Sequence, residues 1–252
     1  MAKRNVLTLL FCVTTLGLTF CLPSTAAARQ PGGRVTLSVN GTYQGGTSDI
    51  SSTVAFTANA ENGSFKYNFP VKQGQAIDVS GTIRIVKNFG IGIGYSSFAA
   101  NGTADVTATV PHPFFFNQPR SIAGQAPLDH KETAVHIRAT LSSAPGGKLQ
   151  FSAFAGPTFF SVNQGLVDSV SWTDSYPYDT AAFTKATTST FSASKVGFEG
   201  GADVAYYFSR NIGIGLMAAV AKAEVPGTNS DKTTISVSVG GSTIGAGLRL
   251  RF

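Results

Sequence analysis

Cysteine occurs only at Cys12 and Cys21, so past residue 28 the chain has no thiol for a disulfide or a metal. Charge is scarce as well: 13% of residues are Asp, Glu, Lys or Arg, against about 25% in ordinary soluble domains. No Lys/Arg run exists, which excludes the usual footprint of a nucleic-acid partner. Past residue 28 no apolar run approaches the roughly 20 residues of a membrane-spanning helix. His112, His130 and His136 lack the spacing of a local metal motif. No metal or cofactor is therefore expected.

The first segment has its own logic. Lys3 and Arg4 precede an apolar stretch from Val6 to Leu22, and Ala26, Ala27 and Ala28 give the small residues that a signal peptidase reads. Residues 1–28 are expected to be a cleaved signal peptide, 29–33 a short periplasmic lead, and 34–252 a single β domain. Losing Lys3 and Arg4 takes the formal charge from +6 to +4. Phe20 stands where a lipoprotein signal would carry a small residue before Cys21, so lipid attachment there is set aside.

What remains is alternation with period two. Val35, Leu37, Val39 and Tyr43 share one strand face; Ile77, Val79, Ile83 and Ile85 another; Ile91, Ile93 and Tyr95 a third. Similar runs cover Val135 to Leu141, Leu149 to Ala155, Ala202 to Phe208 and Ile212 to Leu216. Asn62-Gly63 predicts a hairpin turn between Val54 to Ala58 and Phe65 to Val71. Four aromatic or aliphatic residues on one face there would be a liability in water, which favours a membrane-spanning hairpin and ten strands over eight. In the last strand the apolar phase changes at Gly240-Gly241, predicting a β-bulge. Pro157 predicts a bulge or the end of the embedded part. Connections near 87, 145 and 210 are short, while 99–132 and 163–194 read as long loops.

The chain ends on Ile244, Ala246, Leu248, Leu250 and Phe252 on one face and Gly245, Gly247, Arg249 and Arg251 on the other. The spacing Gly247-x-x-Leu250-x-Phe252 resembles the closing strand and assembly signal of bacterial outer-membrane β-barrel proteins, the small porin-like barrels. The resemblance covers about Arg34 to Phe252. It implies an all-β, antiparallel up-and-down transmembrane barrel with long extracellular loops, placed in the outer membrane of a Gram-negative bacterium. It further implies outer-membrane lipid as surroundings and the barrel-assembly machinery as a partner.

Candidate functional residues follow from the polar face. Asp78, Arg84, His136, Arg138, Glu199, Asp203, Arg249 and Arg251 alternate against apolar neighbours and are expected to line the lumen, acids pairing with arginines. Facing Arg138 to lipid would cost about 2–4 kcal/mol, which fixes the polar face inward. Such a network either fills the barrel or selects solutes, and filling is favoured in a narrow tube. Phe114, Phe115 and Phe116, set between prolines, are expected to plug the barrel mouth, with a contact surface as the alternative. Trp172, Tyr176 and Tyr178 are expected at the lipid headgroups. Gly90-Ile91-Gly92-Ile93-Gly94 lies within a strand and cannot act as a phosphate loop, which needs a following helix. The leading expectation is a non-enzymatic structural or surface-interaction barrel, able to meet a surface ligand through its loops. A narrow pore and a lipid-modifying enzyme using His136 are the alternatives, and a soluble secreted β protein is the remainder.

Overall fold

A computed structural model describes residues 34–45, 49–143, 147–228 and 234–252. The expected signal peptide and residues 29–33 lie outside the described residues. Ten strands follow in order: β1 Val35–Gln44, β2 Ile50–Ala58, β3 Glu61–Phe69, β4 Gly74–Arg84, β5 Phe89–Val110, β6 Arg120–Ser142, β7 Leu149–Ser175, β8 Thr180–Tyr207, β9 Ile212–Thr228 and β10 Thr234–Arg251. All pairings are antiparallel.

Eight of the strands close a ring. β1 pairs with β4 on one side and β10 on the other, so β4 to β10 and β1 form an unbroken circuit that leaves β2 and β3 outside it. The expectation of ten spanning strands is corrected: β2 and β3 form a hairpin laid along the upper half of β5, where Ser64 to Asn68 pair with Thr109 to Asp105. The physical reason is that lipid and water were not the only environments open to its aromatic face. Phe65 is buried, and Tyr67 and Phe69 are wholly so. The hairpin turn is Asn59-Ala60, both at positive φ, rather than Asn62-Gly63. Gly63 lies within β3, where a Cβ would come within 2.5 Å of the Phe56 ring.

The predicted long loops are also corrected. β5 to β8 run 22, 23, 27 and 28 residues, and the connections between them shrink to residues 111–119 and 176–179. The wall therefore has two storeys with opposite character. In the storey that holds the short turns, here the base, Leu37, Val79, Ile93, Ile137, Phe151 and Ile214 point outward and are exposed. Tyr43, Tyr95, Phe159 and Phe198 ring its upper rim, and Phe151, Tyr206 and Phe208 its lower one. An apolar band between aromatic girdles is stable in lipid and not in water. Above Tyr95 the exterior of β5 becomes Asn101, Thr103, Asp105, Thr107 and Thr109, all exposed, and the interior becomes Ala104, Val106, Ala108 and Val110, all buried.

This exchange explains the apparent phase slip in β10. Its register with β9 runs without a shift from Thr234 to Leu250, and odd-numbered residues from Val237 onward face inside. Val237 and Val239 face the apolar upper interior, while Gly245, Gly247 and Arg249 face the polar lower one. No bulge is needed, although Gly240 and Gly241 do take positive φ values of 94° and 117°. At Pro157 the β6 to β7 ladder is interrupted for two residues and resumes in the same register.

The upper storey holds one continuous apolar core, with Phe65, Tyr67, Phe69, Leu128, Val162 and Val225 among its most buried members. Trp172 packs against it, with its ring 5.6 Å from that of Phe56. It does not rest at a lipid boundary, which corrects that expectation. Phe65→Ala should cost about 3–5 kcal/mol, read by urea unfolding in detergent through the fluorescence of Trp172, the single tryptophan of the chain. The same substitution at exposed Phe115 should change stability by no more than about 0.5 kcal/mol.

Candidate functional site

The lumen of the base storey is filled by one connected polar network. Strand alternation brings Asn40 of β1, Asp78 of β4, His136 and Arg138 of β6, Glu199 and Asp203 of β8 and Arg249 of β10 to the inside of the ring. Arg138 sits at its centre. Its Nε donates to Glu199 Oε2 at 2.9 Å, and its Nη2 donates to Glu199 Oε1 at 2.8 Å and to Asp78 Oδ2 at 2.7 Å. The guanidinium also lies 4.7 Å from the centre of the Phe154 ring. Asn40 Nδ2 donates to Asp78 Oδ1 at 3.0 Å, and Asn40 Oδ1 accepts from Arg249 Nη1 at 2.6 Å. Arg249 then pairs with Asp203. Gly94 and Gly215 make room for these two arginines: a Cβ there would stand 3.0 Å from Arg138 and 2.7 Å from Arg249.

Six of the eight predicted lumen residues thus form a single chain of contacts. Arg251 joins differently, stacking 3.9 Å over the Tyr207 ring and donating to the carbonyls of Arg210 and Gly147. Arg84 lines the cavity below, beside Tyr207. Of the assembly-signal residues, Gly247 pairs with Asn40 and Leu250 with Leu37 of β1. Phe252 closes the seam through reciprocal backbone bonds with Val35 of 2.9 and 3.1 Å.

One part of the network has the outline of a hydrolytic triad. Ser96 Oγ lies 2.9 Å from His136 Nε2, and His136 Nδ1 lies 3.0 Å from Glu199 Oε2. Nucleophile, base and orienting carboxylate are in the order that acyl transfer requires. Glu199, however, is shared with Arg138, and His136 Nδ1 is also 2.9 Å from Thr158 Oγ1. His136 is buried beneath the apolar upper core.

A second polar cluster was not foreseen. His130 Nε2 is 2.6 Å from Glu132 Oε1, and its Nδ1 is 2.5 Å from Gln164 Oε1. Glu132 Oε2 accepts from Gln44 Nε2 at 3.2 Å and from Gly240 N at 3.0 Å. All of it is buried where the polar lumen meets the apolar core. The signal was present: stepping back by twos from Arg138 gives His136, Glu132 and His130 on one face of β6.

At the opposite end from the short turns, the apex, the Phe-rich segment does not plug the mouth. Phe114, Phe115 and Phe116 are 66%, 57% and 68% exposed, and Tyr176 is 87% exposed. The mouth is already closed by the core below, so the plug reading is corrected in favour of a displayed surface. The segment is nevertheless held. His112 Nδ1 accepts from the backbone N–H of Phe114 and Phe115 at 3.1 and 3.0 Å. Buried Arg120 donates to Pro111 O at 2.8 Å, to Asp174 Oδ1 at 2.6 Å and to the carbonyls of Tyr178 and Thr180, tying the 111–119 and 176–179 connections together. Asn117 N donates to Glu61 Oε1 at 2.7 Å, which adds the β2–β3 turn. The rings of Phe114 and Tyr178 meet edge-on at 5.0 Å, and those of Tyr176 and Tyr178 at 6.0 Å.

A closed antiparallel ring with a lipid-compatible band, a polar filled lumen and terminal strands joined at a seam has the architecture of an outer-membrane β-barrel. Among solved structures the chain is similar to the outer membrane protein OprG from Pseudomonas aeruginosa, with a TM-score of 0.54 and 9% identity over 88% of this chain and 97% of that one. Neisserial surface protein A aligns with a TM-score of 0.44 and 10% identity over 88% of this chain and 100% of the other. The outer membrane protease OmpT from Escherichia coli aligns with a TM-score of 0.46 and 8% identity over 90% and 99%. At these identities the likeness is one of fold. No family model matches the chain, and no curated protein sequence does.

Removing the centre of the lumen network leaves two buried carboxylates facing each other's charge. Arg138→Met should therefore destabilise the barrel by about 3–5 kcal/mol, measured by urea unfolding in detergent. Adding Asp78→Asn and Glu199→Gln to Arg138→Met should recover most of that loss; no recovery would mean that the guanidinium acts through packing on Phe154 rather than through charge.

Proposed function

We propose that this protein is a non-conducting, non-enzymatic barrel of the outer membrane that presents a rigid apex to the cell exterior for contact with other surfaces. The observation that carries the reading is the pairing of a closed interior with a displayed, stapled aromatic apex. Exposed phenylalanine is costly to keep in water, and here the backbone beneath it is fixed by Arg120, His112 and Glu61. Rigid aromatic anchors are what surface contacts use, because little conformational freedom is lost on binding. With an even number of strands in the ring, the start of β1 and the end of β10 both lie on the side of the short turns, which is the periplasmic side in this class. The apex then faces outward.

Two readings compete, each with a distinct test. A pore would show discrete current steps when the chain lacking residues 1–28 is refolded into a planar bilayer. The expected record is silent, since the described residues of the upper interior form one buried apolar core. An enzyme built on Ser96, His136 and Glu199 would be labelled at Ser96 by a fluorophosphonate; no labelling is expected, because His136 and Glu199 are buried in the lumen beneath the apolar upper core. For the apex itself, replacing Phe114, Phe115 and Phe116 together by Ser should leave folding intact and lower the adherence of expressing cells to a hydrophobic surface by several-fold. Unchanged adherence would remove the apex as the contact site.

A further inference from the structure

The two storeys differ in how β8 is flanked. In the base it has a neighbour on each side, β7 and β9, with the β9 ladder running from Tyr207 with Gly213 up to Phe198 with Lys222. Above Phe198 it keeps only one. β7 accompanies it as far as Ser175 with Thr180, while β9 beyond Lys222 pairs, among the described residues, with β10 alone, Val225 with Val237 and Thr228 with Thr234. The parting has a local cause. Continued past Lys222, the β8–β9 register would set Pro226 opposite Ser194, and proline has no N–H to give to a ladder. From Thr180 to Val196 β8 is therefore an edge strand. About every second residue there turns a backbone N–H and C=O away from β7, with no strand among the described residues to receive them.

The side chains of this edge say what it takes. Ala181, Phe183, Ala186, Phe191 and Ala193 pack against the upper core yet stay only partly buried, which leaves apolar surface beside the strand for a neighbour to cover. Thr187, Thr188, Ser189 and Thr190 are exposed in succession, so there the strand is uncovered on both faces as well as along its edge. Its charges have one sign. Lys185 and Lys195 are exposed, neither forms an ion pair among the described residues, and 180–196 contains no Asp or Glu. Lys195 is open to solvent although its register partner Phe160 is buried. The acids of the flanking strands are engaged: Asp168 accepts from Ser189 at 2.9 Å, Asp174 pairs with Arg120, and Glu224 lies 3.7 Å from Lys222. A second copy of the chain fits poorly. Antiparallel self-pairing centred on Thr190 would set Lys185 of one chain opposite Lys195 of the other, and like charges directly opposite are destabilising.

We propose that the open edge of upper β8 binds, by strand addition, an extended acidic segment of a partner protein that carries apolar residues at alternate positions. Main-chain bonds to β8 supply the affinity, and the alternate side chains choose the partner. The apolar set of the segment covers the exposed parts of Phe183 and Phe191. Its carboxylates meet the ammonium groups of Lys185 near the upper end of the edge and of Lys195 near the lower. The same two lysines disfavour edge-to-edge pairing between copies, so one pair of charges both selects the partner and keeps the chain from itself. This edge lies on the flank of the upper storey and shares no residue with the aromatic apex.

The test uses protein purified from outer membranes in detergent and a fluorescein-labelled peptide of alternating valine and glutamate, about ten residues or 33 Å long when extended. Fluorescence anisotropy should show saturable binding, and bound peptide should slow hydrogen exchange of the backbone amides of 180–196. Two control peptides should bind at least ten-fold more weakly: one of alternating valine and lysine, and the glutamate peptide N-methylated at two adjacent central residues, which blocks both of its edges. Lys185→Glu combined with Lys195→Glu should weaken binding of the glutamate peptide at least ten-fold and strengthen binding of the lysine peptide; unaltered thermal unfolding shows that this variant is folded. Replacing Phe114, Phe115 and Phe116 by Ser should leave peptide binding unchanged, which separates the edge from the apex. Absence of saturable binding, equal binding of either control peptide, loss of binding in the apex variant, or exchange protection on another strand overturns the proposal. So does a concentration-dependent dimer that protects 180–196 without peptide, which assigns the edge to a second copy.

Discussion

The structure depends on closure of the backbone hydrogen-bond circuit at the seam between β1 and β10. Lipid offers no partner for an N–H or C=O group, so an open edge at bilayer depth would leave a row of them unsatisfied, at several kcal/mol each. Nine consecutive residue pairs, from Thr36 with Arg251 to Gln44 with Thr243, remove that edge. Closing with eight strands sets the lumen width, and a lumen of that width has room for side chains and little else. Gly94 and Gly215, against which the guanidiniums of Arg138 and Arg249 lie, follow from the same geometry, since two guanidiniums cannot lie across so narrow a tube beside larger neighbours.

Charge and apolar packing divide the interior between them. In the base, where the exterior must be oily, the inward positions are free to be polar, and their charges compensate one another through Asp203, Arg249, Asn40, Asp78, Arg138 and Glu199. Above the membrane band the exterior must be polar, and the interior becomes an ordinary hydrophobic core. The His130 and Glu132 cluster lies where the two regimes meet, with Gln44, Gln164 and a backbone amide completing its bonds. Buried polar groups persist at that level because each finds a partner within reach.

Much of this was legible in the sequence. The alternation of β1, β4 and the start of β5, and the terminal run from Ile244 to Phe252, placed strands and faces correctly, because a membrane wall enforces period two strictly. The inward position of Arg138 follows from its alternation with Val135, Ile137 and Ala139 together with the cost of facing lipid. What escaped was the change of solvent along a single strand. Ile91, Ile93 and Tyr95 are odd-numbered and face outward, whereas Val106, Ala108 and Val110 are even-numbered and face inward. With one apolar face assumed, that switch looks like the end of a strand or a bulge. Taken as a change of surroundings, it marks the membrane boundary. The β2–β3 hairpin is hard to place from sequence for a related reason, since its burial depends on the upper half of β5, which reads as a loop.

The inversion of the wall also sets a distance. On β7 the exterior is polar from Ser161 to Ser175, a stretch that at about 3.3 Å per residue and a tilt of about 40° rises roughly 35 Å above the hydrocarbon. The headgroup layer on one side of a bilayer is only about 5–7 Å deep. The three phenylalanines therefore stand several headgroup depths clear of their own membrane, on a stalk made of the same strands that cross it. A force applied at the tip would be carried along the backbone ladders of β5 to β8 down to the apolar band.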